Sequence, residues 1–505
     1  MGKRLKREKK QKFAQDLAFG IVALIGVGVL TSLSGCVSGG SMFNHVANAF
    51  RSEAPPLSAE STRELNRFRT VYHRYAKPDR DSKQLVHFEE AYRRVRASYV
   101  RELTDMALVD SAIKGLEGLQ SAPSTVEPPQ LVEAALDSMM GSLDPHSSYL
   151  NPQELRELQT STRGEFGGLG IEVTMENGLV KIVSPIEDTP AARANLKSGD
   201  LITHVDGRPI KGKILIHAVR ELRGPPGSEV ALTIQRKGLK PFTVQIKRAI
   251  IHVRAVRWRT EGDIGYVRLA RFTESATSDL YKAVENIRHQ LGPRLKGYVL
   301  DLRNNAGGLL DQSLSVSDAL LQSGIIVSVR GRAKSQSQVF DAARGDITYG
   351  KPVVVLINGG SASAAEIVAV ALQENGRAIL MGERSFGKGS VQTITPLKYE
   401  GALRLTTQLY YSPKGHAIQA RGVLPDIGVL AAVKDGAKKR SREADLPKHL
   451  ETADSWKQQT RATIKEGSCP AVGEKKDRGL GCALEYLHAG STEKFLALVR
   501  SRPNI

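Results

Sequence analysis

One short stretch constrains this chain more than any other. The apolar run Val353–Ile357 leads into Gly359-Gly360-Ser361-Ala362-Ser363-Ala364-Ala365-Glu366, and Ile367, Val368, Ala371 and Leu372 follow at helical spacing. A buried strand, a turn of small residues and a helix in immediate succession belong to an α/β layered fold. The turn exposes a serine at a helix N-terminus, where free N–H groups and the helix dipole favour a developing oxyanion. Ser363 is the candidate nucleophile and Ala364 a candidate oxyanion donor.

A serine hydroxyl attacks only when a neighbouring base takes its proton. Lys388, in Phe386-Gly387-Lys388-Gly389, is the candidate base. It must be neutral to act, so it needs a pKa roughly 3 units below the usual value of about 10.4. Burial in apolar surroundings supplies such a shift. The alternating run Val391, Gln392, Thr393, Ile394 suggests a strand, on which residues 388, 390 and 392 share a face. Gln392 is then placed to orient Lys388 without adding charge. Upstream, 298–303 reads as a buried strand, and Asn304-Asn305-Ala306-Gly307-Gly308 turns into a helix near Leu309. Paired glycines allow close backbone approach, making Gly307 or Gly308 the second oxyanion donor.

These stretches, with Leu143-Asp-Pro-His-Ser-Ser-Tyr149, Tyr411-Ser-Pro-Lys-Gly415 and Gly422-Val-Leu-Pro-Asp426, resemble the carboxyl-terminal processing peptidases. These are the PDZ-containing serine peptidases of the tail-specific protease family. The resemblance runs from about residue 85 to 430. It implies Ser363 as nucleophile, Lys388 as base and Gln392 as its assistant, and the gap of 25 residues between serine and lysine fits. Ala306 stands where a proline is common and Ala365 where a second serine is common; neither carries the chemistry. His146 has no visible partner and reads as structural, and histidines 217, 252 and 416 form no serine triad. No His/Cys/Asp cluster has metal spacing, and no metal or organic cofactor is implied.

Residues 164–248 read as a small β-rich domain with Gly167-Gly168-Leu169-Gly170-Ile171 and Ser198-Gly199-Asp200-Leu201-Ile202. They resemble a PDZ domain, which adds a peptide as an extra strand and binds its C-terminal carboxylate with backbone N–H groups. The resemblance makes Gly167, Gly168, Leu169 and Gly170 the carboxylate loop, with Leu169, Ile171 and Val219 lining the groove.

The net charge is +19, and seven basic residues fall within positions 3–12. With 5% aromatic residues and no nucleic-acid motif, base stacking is a poor reading, and no nucleic-acid partner is expected. The basic cluster precedes the apolar stretch 17–33, giving the n- and h-regions of an export signal. It ends in Leu33-Ser34-Gly35-Cys36, which resembles a bacterial lipoprotein cleavage box with Cys36 as the lipidated residue. Uncleaved, the same 17 residues form a membrane anchor. Both readings place the chain in the cell envelope, periplasmic or extracytoplasmic, tethered to a membrane. Cys469 and Cys482, 13 positions apart, can pair in an oxidising compartment.

The expected organisation is α/β and multidomain. It comprises a signal or anchor (1–36), a tether (37–84), a helical unit (85–160), the PDZ domain (164–248), an α/β crotonase-like peptidase core (250–430) and a basic tail with a helix (431–505). The helical unit is a candidate for self-association into a homo-oligomer, and an activating adaptor is a second class of partner. The expected function is an exported serine endopeptidase that captures protein C-termini and cuts them with a Ser-Lys dyad. Two other readings are a non-catalytic PDZ scaffold and a crotonase-like acyl-CoA enzyme; the intact Ser, Lys and Gln oppose the first, and the PDZ domain and export signal the second.

Overall fold

The computed structural model describes residues 56–502, apart from 77–81, 120–125, 187, 213–214, 253, 431–440, 453–459, 461 and 474–475. The N-terminal basic cluster, the 17–33 segment and Cys36 lie outside the described residues, as do Lys434, Lys438, Lys439 and Arg440. Among the described residues no helix is long and apolar enough to cross a membrane.

The core is a seven-stranded sheet. Its strands run in the order Val256–Glu261, Ile264–Leu269, Gly297–Asp301, Val353–Ile357, Ile379–Gly382, Ile427–Leu430 and Ala462–Lys465. All pairings are parallel except the first. Val353, Val355 and Ile357 face one side and pack among residues of helices Ala276–Leu291 and Ala364–Glu374. Val354 and Leu356 face the other and pack with Leu480, Ala483, Leu487 and Phe495. This period-two alternation across a doubly covered sheet explains why the strand reads as a continuous apolar run.

The second face is covered by the tail. Its strand Ala462–Lys465 adds to the edge of the main sheet, and helices Arg478–Ala489 and Thr492–Arg500 lie against it. The segment read from sequence as a basic tail is thus partly a layer of the core. Cys469 and Cys482 form a disulfide there, with both residues buried.

A second sheet is antiparallel. Its long strand Ala402–Tyr411 pairs with Ser148–Leu150, Ile325–Gly331 and Ser390–Pro396. Leu403 and Leu405 join the helical unit's core, built on Phe68, Tyr72, Phe88, Tyr92, Leu136 and Met139. The stretch expected to be a tether differs: from Ala59 to Tyr75 it is a helix, capped by Ser58, that buries Leu65, Phe68 and Tyr72. The helical unit begins with two helices, Ser82–Ser98 and Asp105–Glu117, the second capped by Thr104. Asn151 caps Pro152–Thr162 with a reciprocal bond from Glu154, as Asn-Pro-x-Glu suggests.

The β-rich domain is a sheet of Ile171–Glu176, Leu179–Pro185, Leu201–Val205, Glu229–Gln235 and Phe242–Lys247, with helix Leu215–Leu222. A ribbon pairing Glu165–Gly168 with Ala249–His252 closes it and carries it slightly past residue 248.

Candidate active site

Ser363 is the N-cap of helix Ala364–Glu374, as the strand-turn-helix pattern predicts, and its backbone is strained (φ 56°, ψ −116°). A non-glycine residue in that region costs on the order of 1–3 kcal/mol and persists only when its surroundings fix it. They do. Asn358 Oδ1 accepts from Gly360 N–H (3.0 Å), Ser361 Oγ donates to Leu302 O (2.8 Å), and Ala362 N–H donates to Asn305 O (2.9 Å). Ser363 N–H donates to Glu366 Oε2 at 2.8 Å.

Residues 304–308 lie against this turn. Asn305 is fully buried, and its Nδ2 donates to Leu269 O at 2.8 Å. Its Oδ1 accepts from Gly307 N–H at 2.9 Å, so Gly307 commits the N–H expected to serve an oxyanion. Gly308 N–H and Ala364 N–H make no hydrogen bond among the described residues. Gly307 instead supplies space: a Cβ there would lie 2.9 Å from Ser363 Cβ and 3.1 Å from Ala364 N. At Gly308 (φ +148°) a Cβ would meet Phe272 O at 2.1 Å.

Asp301, fully buried, accepts from Tyr266 Oη (2.7 Å) and from the Arg303 guanidinium (3.0 and 2.7 Å). Arg303 also grips Asp477 of the tail at 2.9 and 2.7 Å. The start of the 304–308 loop is thereby fixed by a residue far downstream.

Lys388 is not on a strand. The strand begins at Ser390, and a bulge between Val391 and Gln392 breaks the expected shared face. Lys388 sits in the loop 385–389, held by Glu366, which accepts Ser385 Oγ (2.5 Å) and Gly387 N–H (2.7 Å) on Oε1 and Lys388 N–H (2.9 Å) on Oε2. One carboxylate thus joins the backbone of the serine to that of the lysine. Burial pushes the Glu366 carboxyl up to about 7, while those donors and Ser363 N–H oppose the shift. Burial, and then Arg404, hold the half-buried Lys388 ammonium below the ordinary lysine value; Glu443, Asp144 and Glu366 oppose them. The Lys388 ammonium makes no hydrogen bond or ion pair with any described residue.

The Gln392 amide donates to Ser390 Oγ (3.0 Å) and Thr406 Oγ1 (3.2 Å), not to Lys388. Thr406 Oγ1 donates to Asp144 Oδ1 (3.0 Å), which also accepts Ser147 N–H, so Gln392 braces the wall of the lysine site. His146, read as structural, has partners that spacing could not reveal: its Nε2 lies 2.9 and 2.8 Å from the two oxygens of Glu443. Sequence reasoning missed Glu366, Asp144, Gln419, Glu443 and Asp477. For Glu366 a signal existed, since a glutamate three residues after a helix-capping serine is a capping-box pattern.

In the β-rich domain Gly167 and Gly168 are within the closing ribbon, where a Cβ on Gly167 would meet Gly224 O at 2.2 Å. Gly170 (φ +78°) has no room for a Cβ beside Thr189. Leu169 is buried in the domain core rather than open to a groove. Ile171 opens the edge strand of the sheet, and Val219 lies half-buried on helix Leu215–Leu222.

Residues 263–429 match the model of Peptidase family S41, and 167–247 that of the PDZ domain. The chain is 52% identical over 349 residues to a carboxy-terminal-processing protease of Bartonella bacilliformis, covering 69% of this chain and 75% of the relative. It is 35% identical to a probable CtpA-like serine protease of Staphylococcus aureus, covering 59% of this chain and 60% of that one. A solved photosystem II D1 C-terminal processing protease is 30% identical, covering 69% of this chain and 93% of its own, at a TM-score of 0.45.

Proposed function

Because the chain belongs to peptidase family S41 and is a PDZ-containing serine protease of the C-terminal processing kind, we propose that it cuts with a Ser363–Lys388 dyad. The observation that carries this reading is the shared Glu366 carboxylate, which fixes the two backbones together while burial keeps the lysine amine easily deprotonated. Ser363 Oγ attacks the scissile carbonyl carbon and its proton passes to Lys388 Nζ. The oxyanion is met by Gly308 N–H and Ala364 N–H. Lys388 then gives the proton to the leaving amine. Water, deprotonated by the same lysine, attacks the acyl-enzyme and releases a new carboxylate. Gln392 acts one step removed, through Ser390 and Thr406.

Protein C-termini are the substrate class. The PDZ domain takes the tail along the edge strand that starts at Ile171, and backbone N–H groups of 168–170 hold the carboxylate. The enzyme is exported, and the N-terminal segment tethers it to a membrane as a Cys36 lipoprotein or an uncleaved anchor. The buried Cys469–Cys482 disulfide supports an oxidising compartment.

The test is a matched pair of peptides with an apolar last residue, one free acid and one C-terminal amide. Charge-assisted bonds to the carboxylate contribute on the order of 1.5–3 kcal/mol each. The amide should be cut at least about tenfold less well in kcat/KM, a loss of roughly 1.4 kcal/mol. Ser363→Ala and Lys388→Ala should each abolish cleavage, and the double variant should be no worse. Full turnover in Ser363→Ala would mean that another group is the nucleophile, and no cleavage by the unmutated chain would leave a peptide-binding scaffold as the reading; equal cleavage of acid and amide would remove the PDZ domain from substrate choice.

A further inference from the structure

The loop carrying Lys388 has no secondary structure of its own, yet each backbone N–H from 385 to 389 reaches an acceptor. Ser385 N–H donates to Val423 O, Phe386 N–H to Ser361 O, and Gly387 and Lys388 N–H to Glu366. Gly389 N–H donates to Gln419 Oε1 at 2.8 Å. A loop so held is only as rigid as its acceptors.

Gln419 is itself held by Glu443. The Gln419 Nε2 donates to Glu443 Oε1 at 2.8 Å, and Glu443 N–H donates to Phe386 O at 3.2 Å. Glu443 therefore braces the chain on both sides of Lys388, at 386 directly and at 389 through Gln419. Gln419 and Glu443 are both fully buried. A buried carboxylate is tolerated only when its oxygens are satisfied, and the remaining partner is His146, whose Nε2 lies between the two Glu443 oxygens. His146 comes from the turn between the helical unit and the second sheet, and Glu443 from beyond the stretch matching the peptidase family.

We propose that Glu443 is a positioning residue: seated by His146, it holds the Lys388 loop in its working conformation through Gln419 and Phe386. The inference rests on the reading of Lys388 as the base. The charged groups around the lysine are Arg404, Asp144, Glu366 and Glu443, with His146 next to Glu443. Glu443, Asp144 and Glu366 all favour the charged lysine, Glu443 most of the three, so removing its charge eases deprotonation.

Two variants separate bracing from charge. Glu443→Ala removes both. Amide hydrogen exchange over 385–389 should accelerate at least about tenfold. kcat/KM should drop roughly a hundredfold, as small misplacements of a catalytic group do, with the loss in kcat and not in KM. Glu443→Gln keeps an acceptor for Gln419, so exchange should stay near wild type, while the acid limb of the kcat/KM profile moves to lower pH. A merely structural glutamate would not move that limb. Wild-type exchange in Glu443→Ala, or an unmoved acid limb in Glu443→Gln, overturns the proposal; if the alanine variant does not fold, the glutamine variant decides. Lys388→Ala is assayed alongside. Turnover in that variant would defeat the lysine reading, whereas the exchange measurement judges the bracing by itself.

Discussion

Ser363 and Lys388 donate their backbone N–H groups to the same oxygen, Glu366 Oε2, at 2.8 and 2.9 Å. Two hydrogen bonds to one atom tie the two backbones to a common point. The spacing of the candidate dyad is thus set by a third residue with no part in the bond-making steps.

Replacing that residue should be severe. Glu366→Gln places an amide NH2 against N–H donors, leaving about two buried groups unsatisfied and costing on the order of 2–4 kcal/mol. Urea unfolding should show a lower midpoint, and peptide cleavage should fall to near background. Wild-type turnover in this variant would mean that the shared oxygen does not set the dyad.

The same carboxyl sets a pH dependence. Burial raises it from 4.5 to about 7, so between those values the folded chain keeps a proton that the unfolded chain has released. This group's contribution to stability is full below that window and declines as pH rises through it. Turnover has the opposite trend, because a protonated Glu366 loses acceptor capacity towards Ser363 and Lys388. Parallel melting and kcat/KM profiles across the window should therefore slope in opposite directions.

Asp477 should matter although it lies 174 residues from Arg303. Burial alone would raise its carboxyl, but hydrogen bonds from Arg303 and from Leu480 N–H hold it below the usual carboxylate range. A depressed pKa stabilises the fold above the ordinary carboxylate value, and that stability is lost as pH falls through the lower folded value. Asp477→Ala should cost about 1–3 kcal/mol, reduce kcat through the 304–308 loop, and show a shallower loss of stability with acid. Thermal melts at several pH values test it.

Opening the disulfide should weaken the tail. For a closed loop of 13 residues' separation the chain-entropy model gives roughly 3 kcal/mol. Cys469→Ala with Cys482→Ala should lower the unfolding free energy by about that amount, read as a lower urea midpoint at an unchanged slope. An unchanged midpoint would mean that packing alone holds helix Arg478–Ala489 in place.

Gly308→Ala should be inactive for a steric reason. Its Cβ would press on Phe272 O at 2.1 Å, which forces the loop away from Ala364. Gly307→Ala should fold better, since its closest neighbours stand at 2.9 Å, but it crowds Ser363. The expected order of kcat is wild type, then Gly307→Ala, then Gly308→Ala.

The serine turn was legible because its signals are local: five apolar residues, small turn residues, then a 3.6-residue period. The lysine loop was not, because its conformation is imposed by Glu366, Gln419 and Glu443, distant acceptors that leave no mark on residues 385–389. The alternation after Gly389 suggested a strand reaching Lys388, but the carboxylate and the bulge at Gln392 end it earlier. Helix Ala59–Tyr75 was hidden by its many charges, although Ser58 and the spacing of Leu65, Phe68 and Tyr72 carried the pattern. Strand Ala462–Lys465 is too short to announce itself, and only a free sheet edge gives it a place.

His146 and Glu443 are 297 positions apart, and Ser147 and Thr406 are 259 apart. Loops of that size close slowly, and such contacts gain nothing until most of the chain is already ordered. Recovery of cleavage after denaturation should then trail recovery of helical circular dichroism, and enzymatic activity becomes the clock for the last stage of refolding.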